Sequence, residues 1–238
     1  MDTQHNGSVL IDFFENHEHR MIHKWMHYFE PYERHFHQFR GKDITLLEFG
    51  VLHGGSLQMW KHYFGPGARI TGVDINPRCA ALAEDRIEII VGDQEDRNSL
   101  RAIPAGRPQF DIIIDDGGHT MTQQITTFQE LWFHLKDGGV YLCEDTHTSY
   151  WPGFFGGGYR QPGTFIEYTK SLLDQLTAWH SNDPALQVNE FTRSCFSVHY
   201  YDSMVFFEKR AMPQPRARMK GTPSFPLEPA EQAVFNRG

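Results

Sequence analysis

The stretch ITLLEFGVLHGGSLQMWKHYF, residues 44–64, decides the fold. It begins with an apolar run of strand length, turns at Gly50, Gly54 and Gly55, and continues in a helical pattern. A strand that passes through a tight glycine turn into a helix allows the backbone to approach a nucleotide-like ligand closely. The stretch therefore predicts a β–α unit with a ligand site at its glycine turn.

Four further apolar runs repeat this design along the chain. They are RITGVDI (69–75), RIEIIVGD (86–93), FDIIIDD (110–116) and GVYLCED (139–145). Runs this rich in isoleucine and valine are typical of strands buried on both faces of a parallel sheet, and helical segments such as Thr120–Leu135 fall between several of them. The segment CFSVHYYDSMVFFEKR (195–210) indicates a hairpin around Asp202–Ser203. We predict an α/β fold with a mostly parallel seven-stranded sheet, a C-terminal antiparallel hairpin and helices on both faces.

Acidic residues end all five apolar runs. They are Glu48, Asp74, Asp93, Asp115–Asp116 and Glu144–Asp145. The carboxyl ends of parallel strands meet at one edge of a sheet, and ligands of open α/β sheets bind there. We therefore expect these carboxylates to converge on one rim.

Composition excludes several classes of protein. The 238 residues carry 22 Lys and Arg against 30 Asp and Glu, a formal charge of −8, which argues against a general binder of nucleic acid or anionic membranes. The three cysteines are widely spaced and suggest neither a disulfide framework nor a thiol zinc site. No apolar run reaches about 18 residues, and the polar start MDTQHNGS does not resemble a signal peptide. We expect a soluble cytoplasmic protein.

One domain with two appendages is the predicted organisation. Residues 1–40 form an N-terminal helical segment, divided into two pieces at Pro31; residues 41–210 form the ligand-binding domain; residues 211–238 form a proline-containing tail extended along the surface. A further helix is expected at roughly Thr164–Trp179.

The residues Glu15, His19, His23 and His27 would form one stripe on a continuous helix. That spacing is compatible with zinc, but a solvated or oligomer-facing stripe is the preferred interpretation.

The glycine turn differs from two common nucleotide motifs. Leu52 stands where the dinucleotide fingerprint needs its second glycine, and the turn lacks the GKS or GKT ending of a P-loop. Its pattern E-x-G-x-x-x-G resembles that of Rossmann-like class I S-adenosylmethionine-dependent methyltransferases. Asp74 then suits the ribose hydroxyls and Asp93 the adenine. The candidate cofactor-binding residues are Glu48, Gly50, Gly54, Ser56, Asp74, Asp93 and Asp115. Solvated carboxylates at strand ends are the alternative interpretation.

The segments IDDGGH (114–119) and CEDTHTSYW (143–151) carry the remaining chemistry. Strands four and five are neighbours in the expected topology, so Asp116, Glu144 and Asp145 can meet in one site. Three carboxylates without a cysteine suit Mg²⁺, and crowding them without a cation would cost like-charge repulsion. Shared protonation, or Arg160, would also relieve that repulsion.

These segments, together with HKWMHYFEPYERHF (23–36) and LLEFGVLHGGS (46–56), resemble the metal-dependent sugar O-methyltransferases of macrolide and polyketide biosynthesis, the mycinamicin type. The resemblance implies that Asp116, Glu144 and Asp145 bind Mg²⁺ and that His119 is the catalytic base. It also implies S-adenosylmethionine as methyl donor, a glycoside of a small natural product as substrate, and a homo-oligomer. Some members carry a further N-terminal domain, for which this chain is too short.

Aromatic and histidine side chains near these segments are the candidates for binding the acceptor. They are Tyr28, Tyr32, His147, Tyr150 and Trp151. The glycine- and aromatic-rich loop 151–163 is a candidate lid, with an aromatic cluster or a subunit contact as alternatives.

Two other functions stay open: a relative of cephalosporin-hydroxylase-like proteins with another activity, and a non-catalytic cofactor-binding subunit. The presence of His119 beside three carboxylates argues against the latter.

Overall fold

A computed structural model describes residues 8–226. Its centre is one seven-stranded sheet in the order β3-β2-β1-β4-β5-β7-β6. The strands are β1 Thr45–Phe49, β2 Arg69–Asp74, β3 Ile87–Val91, β4 Phe110–Asp115, β5 Leu135–Cys143, β6 Cys195–Tyr201 and β7 Met204–Lys209. Strands β1 to β5 are parallel, and β7 pairs antiparallel with both β5 and β6. This confirms the predicted sheet and hairpin.

Helices cover both faces of the sheet, as predicted. They are α1 Val9–Glu15, α2 Phe29–Phe36, α3 Gly55–Phe64, α4 Arg97–Ala102, α5 Met121–Leu131, α6 Phe165–Leu176 and α7 Glu190–Ser194. Successive strand residues point to opposite faces, so Leu46 belongs to the core under α1–α3 and Leu47 to the core under α4–α7. Burial on both faces explains why the strands are almost continuously apolar.

The N-terminal segment departs from the predicted helices. Helix α1 ends at Glu15, residues 16–25 are not helical, and Pro31 lies inside the first turn of α2 rather than at the break. A proline is tolerated there because the first backbone N–H groups of a helix have no intrahelical acceptor. The prediction that Glu15, His19, His23 and His27 form one stripe is therefore wrong, because these four residues do not lie on one continuous helix.

Two other helices end earlier than predicted. Helix α5 ends at Leu131, and a 3₁₀ turn of Trp132–His134 leads into β5, which begins at Leu135. Helix α6 ends at Leu176 and is followed by the 3₁₀ turn Ala178–His180. Both ends tighten into 3₁₀ geometry, which a hydrophobic periodicity does not distinguish from an α-helix.

Residues 211–226 contain neither helix nor strand and are mostly exposed, and the remainder of the predicted tail lies outside the described residues. Within residues 8–226, no helix combines the length and the apolar character needed to cross a membrane.

Candidate active site

A cavity of about 350 Å³ opens at the carboxyl ends of the five parallel strands. Its lining comes from residues 50–52, 73–75, 92–94, 116–119 and 144–145, one segment after each strand, and from residues 21–28 across the opening. The structure thus brings the acidic strand ends to one rim. Exposed apolar side chains border the cavity, among them Leu52, Ile75 and Trp25. Such side chains at a rim mark a face that binds a partly apolar ligand.

Gly50 joins the turn after β1 to the loop after β4. Its φ is +88°, and a Cβ at this position would lie 1.9 Å from the carbonyl oxygen of Asp116. Its N–H donates to the Val73 carbonyl at 2.9 Å. Only glycine permits this approach, which draws the turn against the acidic loop.

Asp74 fixes the turn at the end of β2. Its Oδ2 accepts hydrogen bonds from the backbone N–H groups of Val51 at 2.9 Å and Leu52 at 3.1 Å, and its Oδ1 accepts from Asn76 N at 2.8 Å. The carboxylate also lines the cavity. One side chain therefore shapes the turn and offers acceptor oxygens to a ligand.

The predicted cofactor residues divide into two groups. Gly50, Ser56, Asp74 and Asp93 line the cavity, whereas Glu48, Gly54 and Asp115 lie behind its wall. Asp115 is fully buried and accepts a hydrogen bond from Gln94 Nε2 at 2.5 Å, and burial raises its pKa to about 6. Because Gln94 itself lines the cavity, Asp115 positions a lining residue instead of contacting a ligand. Sequence reasoning missed Gln94, although it directly follows Asp93.

Lys24 lies at the centre of the acidic cluster. Its Nζ is 2.5 Å from Asp116 Oδ2, 2.8 Å from Glu144 Oε2 and 3.9 Å from Glu48 Oε1. Burial lowers the pKa of this ammonium, but the three carboxylates outweigh burial and hold it well above its ordinary value. In the sequence, Lys24 stands between His23 and Trp25. Its position beside aromatic residues gave no signal of the ion pairs.

Burial dominates the electrostatics of the two innermost carboxylates. It raises the pKa of Glu48 to about 7 and that of Glu144 well above its ordinary value, and nearby Asp116 adds to both increases. Lys24 opposes these increases without cancelling them. The cluster therefore favours either a proton or further positive charge.

Two tyrosines hold the carboxylates after β5. Tyr28 donates its hydroxyl to Asp145 Oδ1 at 2.5 Å, and Tyr32 donates to Glu144 Oε1 at 2.7 Å. Tyr28 reaches the cavity lining, but Tyr32 is fully buried and does not. Tyr32 therefore acts on Glu144 and not on an acceptor, which corrects the expectation from sequence.

His119 faces the Asp116 and Asp145 oxygens that bond neither Lys24 nor Tyr28. Its Nε2 lies 3.4 Å from Asp145 Oδ2 and 4.0 Å from Asp116 Oδ1, and the ring lines the cavity. His119 and Asp145 both adopt left-handed backbone conformations, with φ of +58° and +52°. The hydroxyl of Thr148 lies 2.9 Å from the His119 carbonyl and 3.1 Å from that of Asp145. Strained residues clamped in this way are characteristic of functional sites.

The donor set fits a hard divalent cation. Asp116 and Asp145 offer carboxylate oxygens that lie within 4.8 Å of each other and of a His119 ring nitrogen, and Glu144 faces Asp116 across Lys24. The carboxylates outnumber the ammonium, so Mg²⁺ would supply the further positive charge that this cluster favours. Arg160, the alternative counter-ion, has its guanidinium 5.2 Å from the Tyr159 ring centroid and does not line the cavity.

Aromatic residues extend from the cavity mouth along the loop after β5. The His147 ring centroid lies 6.2 Å from that of Trp25 and 4.9 Å from that of Trp151. Trp25, Tyr150 and Trp151 are each about half exposed. His147, Tyr150 and Trp151 do not line the cavity itself. His147 packs against Trp25, which lines the cavity, and Trp151 packs against His147, so these two residues lie beside its entrance.

Comparison with known proteins shows which proteins this chain resembles. Residues 47–146 match the family described as "Methyltransferase domain". Demethylmacrocin O-methyltransferase of Streptomyces fradiae is 39% identical over 201 residues, which cover 78% of this chain and 50% of that protein. Mycinamicin VI 2''-O-methyltransferase of Micromonospora griseorubida is 38% identical over 198 residues, covering 78% and 49%. The chain spans about half the length of the curated relatives it matches.

A solved structure shows the same architecture. MycE methyltransferase from the mycinamycin biosynthetic pathway, in complex with Mg, SAH and mycinamycin VI, superposes with a TM-score of 0.76 at 32% identity, covering 96% of this chain and 58% of that one. The fold, the glycine turn with its acidic rim, and these similarities lead to one conclusion. The chain contains a methyltransferase domain at residues 47–146, and its close homologues are the sugar O-methyltransferases of macrolide and polyketide biosynthesis.

Proposed function

We propose that the protein transfers a methyl group from S-adenosylmethionine to a hydroxyl of a deoxysugar on a glycosylated natural product, with assistance from Mg²⁺. The observation that carries this proposal is the position of His119 Nε2 at the cavity wall, 3.4 Å from Asp145 and 4.0 Å from Asp116. A base beside an acidic cation site, next to a glycine turn for the methyl donor, is what hydroxyl methylation requires.

We assign the cofactor to the turn and the first three strand ends. Gly50 and Ser56 lie at the turn, Asp74 offers acceptors to ribose hydroxyls, and Asp93 borders the adenine position. Mg²⁺ would be held by Asp116 and Asp145, with Glu144 completing the set, and would supply positive charge that favours an ionised hydroxyl. The other catalytic roles are assigned to amino-acid side chains of this protein.

His119 accepts the proton of the acceptor hydroxyl at Nε2, the ring nitrogen that faces the carboxylates. The acceptor oxygen gains the methyl group as it loses its proton, and S-adenosylhomocysteine leaves. Tyr28 and Tyr32 keep the Asp145 and Glu144 carboxylates oriented. Fixed orientation of the reacting groups contributes much of the rate in such in-line transfers.

The organisation of the whole protein follows from the same proposal. We propose that residues 41–210 form the catalytic domain, with the described residues 8–40 and 211–226 as its two appendages. We propose that the enzyme works in the cytoplasm as a homo-oligomer on a small-molecule glycoside, and that its partners include neither nucleic acid nor membranes. The formal charge of −8 supports the last point.

Isothermal titration calorimetry with S-adenosylmethionine, with and without Mg²⁺, tests this proposal. We expect binding to the wild type in both conditions, and equal binding to Asp116→Asn, because this isosteric change alters only a carboxylate that faces Lys24 and leaves the backbone contact with the glycine turn intact. Absence of cofactor binding to the wild type would refute the proposal. Turnover in excess EDTA would refute the role of the metal.

Asp74→Asn should weaken binding of S-adenosylhomocysteine about tenfold, since a charged acceptor contributes roughly 1.5–3 kcal/mol through its hydrogen bonds. The same calorimetric titration measures it. Asp85→Asn is the matched control, because the Asp85 side chain is exposed and contacts Arg86. Equal affinity of the Asp74→Asn variant and the wild type would remove Asp74 from the cofactor site.

Trp151→Ala should raise the KM for the acceptor about tenfold and leave cofactor affinity unchanged. The indole stands half exposed beside His147 at the cavity entrance, and covering it with an apolar aglycone would contribute about 1.5 kcal/mol. Steady-state kinetics with varied acceptor measure this. Phe133→Ala removes a similarly exposed ring at the opposite end of β5 and should change neither constant. An unchanged KM in Trp151→Ala would place the acceptor elsewhere.

A further inference from the structure

A second cluster of metal-ligating side chains lies outside the cavity, where α2 packs against the C-terminal hairpin. His35 comes from α2, His199 from β6 and Glu208 from β7. None of the three lines the cavity, and the proposed methyl transfer uses none of them. The cluster therefore requires an explanation of its own.

Strand register explains why these side chains meet. In the antiparallel pairing of β6 with β7, Ser197 lies opposite Glu208 and His199 lies opposite Phe206. These positions share one sheet face, the face on which α2 packs. The His35 ring stacks on Phe206 with centroids 4.2 Å apart and stands 4.7 Å from the His199 ring. Two imidazoles and one carboxylate thus converge from three separate elements.

The spacing of the donor atoms suits a tetrahedral cation. Glu208 Oε1 lies 3.1 Å from His35 Nδ1 and 3.6 Å from His199 Nε2, and one ligand atom of each residue lies within 4.8 Å of the others. Ligands about 2.1 Å from a tetrahedral Zn²⁺ stand about 3.4 Å from one another. Small movements of the three side chains would bring their ligand atoms to the spacing of a tetrahedral Zn²⁺ site.

Neighbouring hydroxyls supply the supporting contacts of a metal site. Tyr201 OH lies 2.9 Å from His35 Nε2, so His35 can donate from Nε2 to the tyrosine oxygen while Nδ1 binds a cation. Ser197 Oγ lies 2.9 Å from His199 Nε2 and 3.1 Å from Glu208 Oε2, next to the position that a fourth ligand would take.

One of the three ligands is buried and the other two are partly exposed, an arrangement that favours binding of an ion from solvent. His35 is 3% exposed, so its ring is held among packed side chains. The side chains of His199 and Glu208 are 38% and 27% exposed, which leaves a path for an ion from solvent.

We propose that His35, His199 and Glu208 form a Zn²⁺ site, completed by Ser197 Oγ or water, that fastens the C-terminal hairpin to α2. Two imidazoles and a single carboxylate favour Zn²⁺ over Mg²⁺, whose preferred ligands are all oxygens. The site is thus chemically distinct from the acidic cluster. Its role is to stabilise the sheet edge beside α2, the helix that also carries Tyr32.

Titration of the full chain with Co²⁺, a spectroscopic substitute for Zn²⁺, tests the proposal in the presence of excess Mg²⁺. We expect one equivalent to bind with the intense visible absorption of tetrahedral coordination, and Zn²⁺ to displace it. The signal should persist in Asp116→Asn, which alters the acidic cluster, and in His180→Gln, which removes an exposed histidine elsewhere. It should disappear in His199→Gln and in Glu208→Gln.

A measurement of stability separates binding from misfolding. Zn²⁺ should raise the Tm of the wild type but not that of His199→Gln, and metal-free forms of both should unfold at similar temperatures. Tyr201→Phe should weaken Zn²⁺ binding about tenfold through loss of the supporting contact. The proposal is overturned if the wild type binds no Co²⁺ under excess Mg²⁺, or if Asp116→Asn abolishes the signal while His199→Gln retains it.

Discussion

Replacing His119 with asparagine should lower kcat about 10²- to 10⁴-fold, the usual contribution of a general base, and leave the affinity for S-adenosylhomocysteine unchanged. Asparagine tolerates the left-handed backbone at this position, where φ is +58°, so the substitution removes the imidazole with little added strain. Single-turnover kinetics with saturating cofactor and acceptor measure the loss.

His37→Asn provides the matched control. The exposed His37 ring contacts backbone carbonyls of α2 and lies apart from the cavity, so its removal should leave kcat unchanged. If His119→Asn retains near-full turnover with bound cofactor, another group removes the proton and the assignment of the base is wrong.

Replacing Lys24 with methionine should destabilise the fold by about 3–5 kcal/mol, because it leaves buried carboxylates without their cation. The Lys24 side chain is 2% exposed and bridges Asp116 and Glu144. Methionine keeps most of the volume, so the change reports mainly on charge. Urea denaturation without divalent metal measures the loss, and added Mg²⁺ should recover part of it by neutralising the same carboxylates.

Lys61→Met is the matched control for this loss of stability. Lys61 pairs with Glu84 at 3.0 Å, but both side chains are partly exposed, so its removal should cost no more than about 1 kcal/mol. Similar losses in the two variants would show that Lys24 is not the structural counter-ion of the acidic cluster.

The fold was predictable because its pattern is local and repeated. Five Ile- and Val-rich runs with acidic ends indicate parallel strands, and the pattern of residues 195–210 indicates the hairpin. The N-terminal segment was not predictable in the same way. Its break at residues 16–25 depends on tertiary contacts, such as the hydrogen bond from Arg20 Nη1 to the Leu82 carbonyl at 2.8 Å, which no periodicity records.

The site was predictable where neighbouring strand ends meet, and not where distant segments contribute. Asp116, Glu144 and Asp145 follow adjacent strands, so topology alone brings them together. Lys24 reaches Asp116 from a position 92 residues earlier in the chain, and its charge has no sequence context that marks it as buried. Likewise, Asp115 and Asp116 are indistinguishable in sequence, but strand alternation turns the first toward Gln94 and Tyr141 and the second toward the cavity.

The most direct test of the central claim is transfer of a labelled methyl group from S-adenosylmethionine to a glycosylated macrolide or polyketide that has free sugar hydroxyls. The account predicts label on a sugar oxygen, dependence of the rate on Mg²⁺, abolition by EDTA with recovery on adding Mg²⁺, and loss of transfer in Asp116→Asn despite retained cofactor binding. Transfer that continues undiminished in EDTA, or label that appears on nitrogen or carbon of the acceptor, would contradict it.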